Sequence, residues 1–315
     1  MARLILTRAI LSLVSLLAVS IIIFWAVELL PGDTATRILG RDATPEAIAV
    51  LRQQLQLDIP ASARYLHWLM GAVRGDFGIS LTADRPVLEY VQGRAVDTVT
   101  LAAVALTLYA PLSLILGIWT AVSRGRAVDH IVAVFVILGM CVPDYVVGIF
   151  LVATFALALP WFPPLALSDQ IHDLPSLVHV LFLPALTLTA PMTAYAVRMM
   201  RESLIDVLES GYVQMARLKG LPPWRVLLWH ALPNAIGPAL NVTALNIAWL
   251  MGGIVVVETL FNFPGLGRLL VDSISLKDVP VIQASSLLLS AVYILCNLAA
   301  DIASMLLNRK LGLHG

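Results

Sequence analysis

The stretch YVQMARLKGLPPWRVLLWHALPNAIGP, Tyr212 to Pro238, sets Arg217, Lys219 and Arg225 around a glycine and a proline pair. On either side the chain is almost pure hydrocarbon. A hydrocarbon layer about 30 Å thick takes roughly 20 apolar residues to cross as a helix, and the flanking windows 179–200 and 233–257 meet that length. The stretch therefore reads as a cationic elbow between two membrane spans.

Composition extends that reading to the whole chain. With 59% hydrophobic and 13% charged residues among 315, and a mean hydropathy of +0.89, the chain has too little polar surface to cover a water-soluble globule. Six windows are long and apolar enough to span: 9–30, 98–122, 131–158, 179–200, 233–257 and 281–307. They are continuously apolar, without the alternation of a strand barrel. Helices are expected, since a helix in lipid satisfies its own backbone hydrogen bonds. The fold class is an all-α integral membrane protein with six transmembrane helices, a helical inner loop and a small helical outer segment after the first span.

The formal net charge is zero, which argues against nucleic acid as a partner. The distribution of charge orients the chain. With the N-terminus inside, eleven basic residues fall on the inner face: Arg3, Arg8, Arg124, Arg126, Arg198, Arg201, Arg217, Lys219, Arg225, Arg309 and Lys310. The two short outer loops hold only Arg268 and Lys277, so the positive-inside rule puts both termini in the cytoplasm. Arg3 and Arg8 precede a run too long for a secretion signal, with no small-residue cleavage pattern at Val27 to Pro31, and the first span is read as retained. Cys141 and Cys296 each lie within an apolar window and read as small packing residues.

A single transmembrane domain runs over 1–315, with an outer segment at 31–95 and an inner loop at 199–232. In the outer segment Thr44 and Pro45 read as N-cap and first helical residue, followed by Ile48, Leu51 and Leu55 at helical spacing. LDIP breaks that helix; Tyr65, Leu69 and Ala72 suggest a second before the turn at Gly75 to Gly78. The segment is either a cap over the outer span ends or a docking platform. Pro111, Gly117, Pro143, Pro184 and Pro191 mark kinks within spans. Asp144 is the deepest acid by this reading, a carboxylate costly in lipid and so a candidate for the path. Thr243 and Asn246, three apart, face either a path or another helix. Glu28, Glu258 and Asp301 fall near span ends, where interfacial water accounts for them.

Several chemistries are missing from the sequence. No G-x-x-x-x-G-K-[ST] loop is present to hold a nucleotide phosphate, and neither H-E-x-x-H nor G-x-S-x-G occurs. Asp169, His172, Asp173 and His179 have the ligand types of a transition-metal site, against the alternative of a solvated loop. No metal site is assigned.

The cationic elbow admits two physical readings. The helix leaving the membrane at Met199 is stopped by Gly220, and Pro222 and Pro223 prevent its continuation, so a second short helix returns over Arg225 to Leu232. On charge alone, the elbow is a basic flap on anionic headgroups. On spacing, it resembles the loop of the inner-membrane permease subunits of ATP-binding-cassette importers, of the form E-A-A-x3-G-x9-I-x-L-P. Gln214, Met215 and Ala216 precede Gly220, and His230, Leu232 and Pro233 follow it, at the required intervals. Gln replaces Glu, Met the first Ala and His the Ile. ARLKGL and HALPNA are closer to the dipeptide, oligopeptide and nickel branch. LPGD at Leu30 to Asp33, LxLDxP at Leu55 to Pro60, GDFGIS at Gly75 to Ser80 and ETLFNFPGLGRL at Glu258 to Leu269 resemble the same branch in the same order.

That resemblance implies a coupling helix near Tyr212 to Gly220, seated in a partner ATPase through Tyr212, Gln214, Ala216, Arg217, Lys219, Gly220, Leu232 and Pro233. Ala216 and Gly220 would permit close approach to the partner, and Arg217 and Lys219 would orient it. It implies a second permease subunit, two ATP-binding subunits carrying ATP and magnesium, and an external substrate-binding protein docked near Asp33, Leu57, Asp58, Asp76 and Phe77. Membrane lipid surrounds the spans, no cofactor is held by this chain, and the setting is a bacterial inner membrane. The cargo would be di- or oligopeptide, or else nickel or another small polar solute. A rival of a different class is an ATP-independent channel or secondary transporter, which would show inverted repeats and paired intramembrane charges; neither is found.

Overall fold

The computed structural model describes residues 2–29, 35–36, 44–54 and 57–307. Among these the helices are α1 (Ala2–Glu28), α2 (Pro45–Gln54), α3 (Ala61–Arg74), α4 (Val87–Val122), α5 (Ala127–Cys141), α6 (Asp144–Ala158), α7 (Leu174–Leu208), α8 (Gly211–Leu218), α9 (Pro223–Leu260), α10 (Leu266–Leu276) and α11 (Val279–Leu307). No strand occurs among the described residues, only one bridge between Ile79 and Pro86.

Among the described residues five helices are each long and apolar enough to cross a membrane, and α5 with α6 makes a sixth where the bent pair is counted as one span. The window 131–158, expected as one span, is broken: α5 and α6 meet at 117°. The cause is local. Pro143 has no N–H to offer the preceding turn, and both Val142 and Pro143 take extended backbone before Asp144 restarts the helix. The last seven residues of α6 form a π-turn, Val152–Ala158.

The chain divides into two compact units. The first comprises Val99–Phe263 with Met1–Ile5 and Cys296–Gly315. Its central element is α7, which packs against α5, α6 and α9 and contains Pro184 and Pro191. Lipid tails are as apolar as leucine, so helices here associate through close packing rather than exclusion of water. Small residues make the approach possible: a Cβ on Gly117 would lie 2.7 Å from Met200 Cβ, and one on Gly148 only 2.5 Å from Leu260 Cδ2. Glu258, expected in interfacial water, is fully buried. Cys141, expected to pack inside, is exposed, and Cys296 is partly buried.

The second unit comprises Leu6–Thr98 with Pro264–Leu295. The expected N-cap at Thr44 is present, its Oγ1 accepting from Ala47 N at 3.3 Å, and α3 ends at Gly75 in the left-handed region, φ 82°. Phe77, Val87, Val91, Leu266, Leu269, Val281 and Ala284 form one buried cluster. Asp278, 1% exposed, ties the GDFGIS hairpin to the start of α11. Its Oδ2 accepts from Ser80 Oγ at 2.6 Å, Thr82 Oγ1 at 2.7 Å and Thr82 N at 3.1 Å. Glu28, also expected in interfacial water, is ion-paired to Arg64, whose Nη1 also donates to Leu57 O and Ile59 O at 3.1 Å each.

Candidate functional site

The elbow is built as a short helix clamped by one face. α8 follows the end of α7 after Ser210, whose Oγ donates to Val207 O at 2.5 Å, while Gln214 Nε2 donates to Glu209 O at 3.0 Å. The helix stops at Gly220, φ 76°. Gly220 N donates to Arg217 O at 2.9 Å and Leu221 N to Ala216 O at 3.4 Å, which is the paired closure that a left-handed residue just past a helix allows. Pro222 caps α9, and the chain returns as one helix over Pro223–Leu260 carrying a π-turn at Val226–Ala231. The separate short helix expected over Arg225 to Leu232 is thus the first part of the span itself.

Burial divides the residues of α8. Val213 and Ala216 are buried against Ala121, Met200, Leu204, Val226, Ala231 and Ala235. Tyr212, Met215 and Leu218 are exposed, Leu218 at 81%. A helix turns about 100° per residue, which puts Met215 about 160° from Val213 and Arg217 only about 40° from it. Arg217, itself exposed, accordingly stands at the cavity between α8 and the ends of α4 and α7, and Lys219, at the helix end, is exposed as well. The expectation that Ala216 allows close approach to a partner is corrected: its methyl is spent on the chain's own core. Gly220 has open space around it, Pro233 is exposed and Leu232 is partly buried.

Sequence reasoning missed the ion pair beneath this elbow. Asp129, 4% exposed, accepts from Arg201 Nε at 2.7 Å and Arg201 Nη2 at 2.8 Å, and from Gly125 N at 2.9 Å. It joins the start of α5 to the last third of α7. Asp129 in the first turn after SRGRAV looks like any interfacial acid; only its pairing across 72 residues of chain marks it out.

The path candidates resolve differently from one another. Thr243 Oγ1 donates to Ala239 O at 2.9 Å, which leaves the Tyr109 hydroxyl, 2.9 Å away, to donate to Thr243. Asn246 Nδ2 donates to Tyr109 Oη at 3.3 Å and to Met192 O at 3.1 Å. Thr243 and Asn246 therefore tie α4, α7 and α9 together. Asp144 stands apart. It is partly buried at the break between α5 and α6, and its Oδ2 lies 2.9 Å from where a Cβ on Gly253 would be. Asp129, Glu258 and Asp278 are all more buried than Asp144.

In the outer segment the structure sorts the docking candidates. Phe77, expected on a docking surface, is buried in the core of its own unit. Asp76 is exposed, its Oδ1 accepting from Gly78 N at 3.0 Å, and Asp58 is exposed beside a partly buried Leu57. Asp33 lies outside the described residues. The acidic and histidine cluster disperses. Asp173 caps α7, accepting from Ser176 N at 2.9 Å, His179 lies tilted against Phe162 with centroids 5.3 Å apart, and no metal-holding group of three occurs among the described residues.

Comparison with known proteins agrees with this arrangement. Residues 113–313 match the family described as binding-protein-dependent transport system inner membrane component, and residues 1–107 match its N-terminal region. The chain is 38% identical over 294 residues to the glutathione transport system permease protein GsiC of Shigella flexneri serotype 5b (strain 8401), covering 93% of this chain and 94% of that one. It is 37% identical, with the same coverage, to the proteins of that name from Escherichia coli (strain K12) and Salmonella choleraesuis (strain SC-B67). These matches displace the rival reading of an ATP-independent transporter. With apolar helices, a glycine-stopped elbow and matches running nearly end to end, the chain belongs to the inner-membrane permease subunits of ATP-binding-cassette importers, in the peptide and nickel family.

Proposed function

We propose that this permease forms half of a path for short peptides of the glutathione kind, driven by ATP hydrolysed on partner subunits. The cargo reading rests on the relatives, which are named for glutathione transport. The coupling reading rests on one observation: α8 is held by Val213 and Ala216 and turns Tyr212, Met215, Leu218 and Lys219 outward. An apolar face with one cation, exposed on a helix whose opposite side is anchored, suits a groove that pushes it. The ATPases bind ATP and magnesium; this chain transmits the displacement. A second permease completes the path, an external binding protein delivers cargo at the segment containing Asp58 and Asp76, and both termini lie in the cytoplasm. Its position at the bend between α5 and α6 supports Asp144 as the acid that would meet a cargo ammonium group.

The test is uptake by the assembled importer in vesicles, with ATP inside and binding protein plus labelled glutathione, a dipeptide or nickel outside. Glutathione or dipeptide uptake is expected, and nickel uptake alone would overturn the cargo assignment. Met215→Glu with Leu218→Glu should leave the permease folded and abolish ATP-driven uptake. Uptake unchanged in that variant would remove the coupling role from this face.

A further inference from the structure

The cavity that receives Arg217 measures about 670 Å³, within the roughly 300–1,000 Å³ typical of ligand sites. Its walls are unequal. Ile205, Leu208, Val226 and Leu227 supply hydrocarbon, while Arg124 and Arg217 supply two guanidiniums. Glu209 is the carboxylate facing them and is ion-paired to Arg124. Arg217 has no ion pair among the described residues. The lining therefore carries one net positive charge on an aliphatic wall. Trp224 stands in the lining, 56% exposed, with the Arg225 guanidinium 5.8 Å from its ring centroid.

An occupant must satisfy both halves of this cavity: an anion for the guanidiniums and hydrocarbon for the wall. A free anion leaves the wall bare, and an uncharged lipid leaves Arg217 unmatched. Guanidinium forks match phosphate oxygens in pairs. Basic pockets between helices at the membrane boundary take phosphate headgroups, and exposed tryptophan is enriched at that depth. The cavity opens where α4 and α7 end and α9 begins, just past the apolar windows 98–122 and 179–200 and ahead of 233–257.

We propose that this cavity binds an anionic phospholipid, with Arg217 and Arg124 on the phosphodiester, Trp224 beside the headgroup and the aliphatic wall against an acyl chain. Arg217 is then a lipid ligand, a role separate from the outward face of α8. The bound lipid fills the space behind the elbow and stiffens it.

The experiment takes the assembled importer in nanodiscs of phosphatidylcholine alone, or of phosphatidylcholine with phosphatidylglycerol, and counts retained lipid by native mass spectrometry. Retention of phosphatidylglycerol in preference to phosphatidylcholine is expected. It should fall at least about tenfold in the Arg124→Gln, Arg217→Gln double variant, the loss of two charge-assisted contacts. Trp224→Ala, which removes no charge, should weaken retention less. Arg198→Gln, an exposed cation on α7, should change nothing. Equal retention of the two lipids, or unchanged retention in the double variant, would overturn the proposal. So would displacement of the lipid by inorganic phosphate at the same concentration, which would mark a site for a free anion. Capture of an ATPase subunit rather than lipid by a photoreactive side chain at position 217 would also overturn it, handing the cavity to the motor protein. None of these readouts depends on cargo, so their failure is distinct from failure of the transport assignment.

Discussion

The Asp129 carboxylate takes two hydrogen bonds from the one guanidinium of Arg201, at 2.7 and 2.8 Å, across the packed ends of α5 and α7. Removing one partner of a fully buried pair costs roughly 3–5 kcal/mol, because the other charge stays desolvated. Arg201 is 30% exposed on its side chain, so the cost here lies toward the bottom of that range. Arg201→Met should lower the melting temperature of the detergent-solubilised permease more than Asp129→Ala does, since it strands a carboxylate that is 5% exposed, whereas an unpaired Arg201, 30% exposed, reaches water. The Asp129→Leu, Arg201→Met double variant should recover most of the loss. Additive losses in the double variant would show that the two residues act separately.

Gly220 is held at φ 76°, and a Cβ added to it would meet nothing within 4 Å, so a substitution there is strained by the backbone and not by neighbours. For an L-residue the left-handed region costs roughly 1–2 kcal/mol, and asparagine tolerates it best. Gly220→Asn should keep most ATP-driven uptake, Gly220→Ala should lose part of it, and Gly220→Val should lose nearly all. Uptake assayed against the melting temperature of each variant checks the order; a variant that transports normally with valine at 220 would detach this stop from coupling.

Asp278 holds three donors of the GDFGIS hairpin on a single oxygen. Asp278→Ala takes the acceptor from the buried Ser80 hydroxyl, at about 1–3 kcal/mol for a buried group left unsatisfied, and from the exposed Thr82 amide, which water can satisfy. Hydrogen exchange at Thr82 should accelerate sharply while exchange in α7 stays unchanged. Equal protection at Thr82 in the variant would mean that the hairpin is held by other contacts.

At the start of α7 the Ser176 hydroxyl, and then its amide, hold the Asp173 carboxyl below the ordinary aspartate value. A depressed folded-state value means that the cap stabilises α7 above the unfolded carboxyl's pKa, about 3.9, and fades as pH falls through the lower folded value. Exchange at the Ser176 amide should thus be independent of pH-linked opening near neutrality and rise in acid. Asp173→Asn should keep the cap and lose that acid sensitivity, since asparagine caps as well and does not titrate. Acid sensitivity persisting in the asparagine variant would assign it to another group.

Much of the molecule is written locally. Apart from 131–158, which Pro143 breaks, the apolar windows mark the long helices because the bilayer imposes a length and forbids unsatisfied backbone, and both constraints act on contiguous residues. Gly220, Gly75 and the Thr44–Pro45 start are legible for the same reason: each is a backbone requirement met by one residue type at one place. The order of short motifs, read together, sufficed for the family.

What the sequence could not decide is direction. Phe77 reads as exposed in a polar segment and is buried; Glu258 reads as interfacial and is buried; Ala216 and Arg217, adjacent in the chain, turn one into the core and the other into a cavity. Asp129 finds Arg201 and Thr243 finds Tyr109 only because helices distant in sequence pack side by side. Hydropathy reports what a residue prefers to leave, whether water or lipid, and helical spacing reports its neighbours three and four along. Which face meets protein, which meets lipid and which closes on a cavity is set by close packing between helices, through side chains whose partners lie tens of residues away.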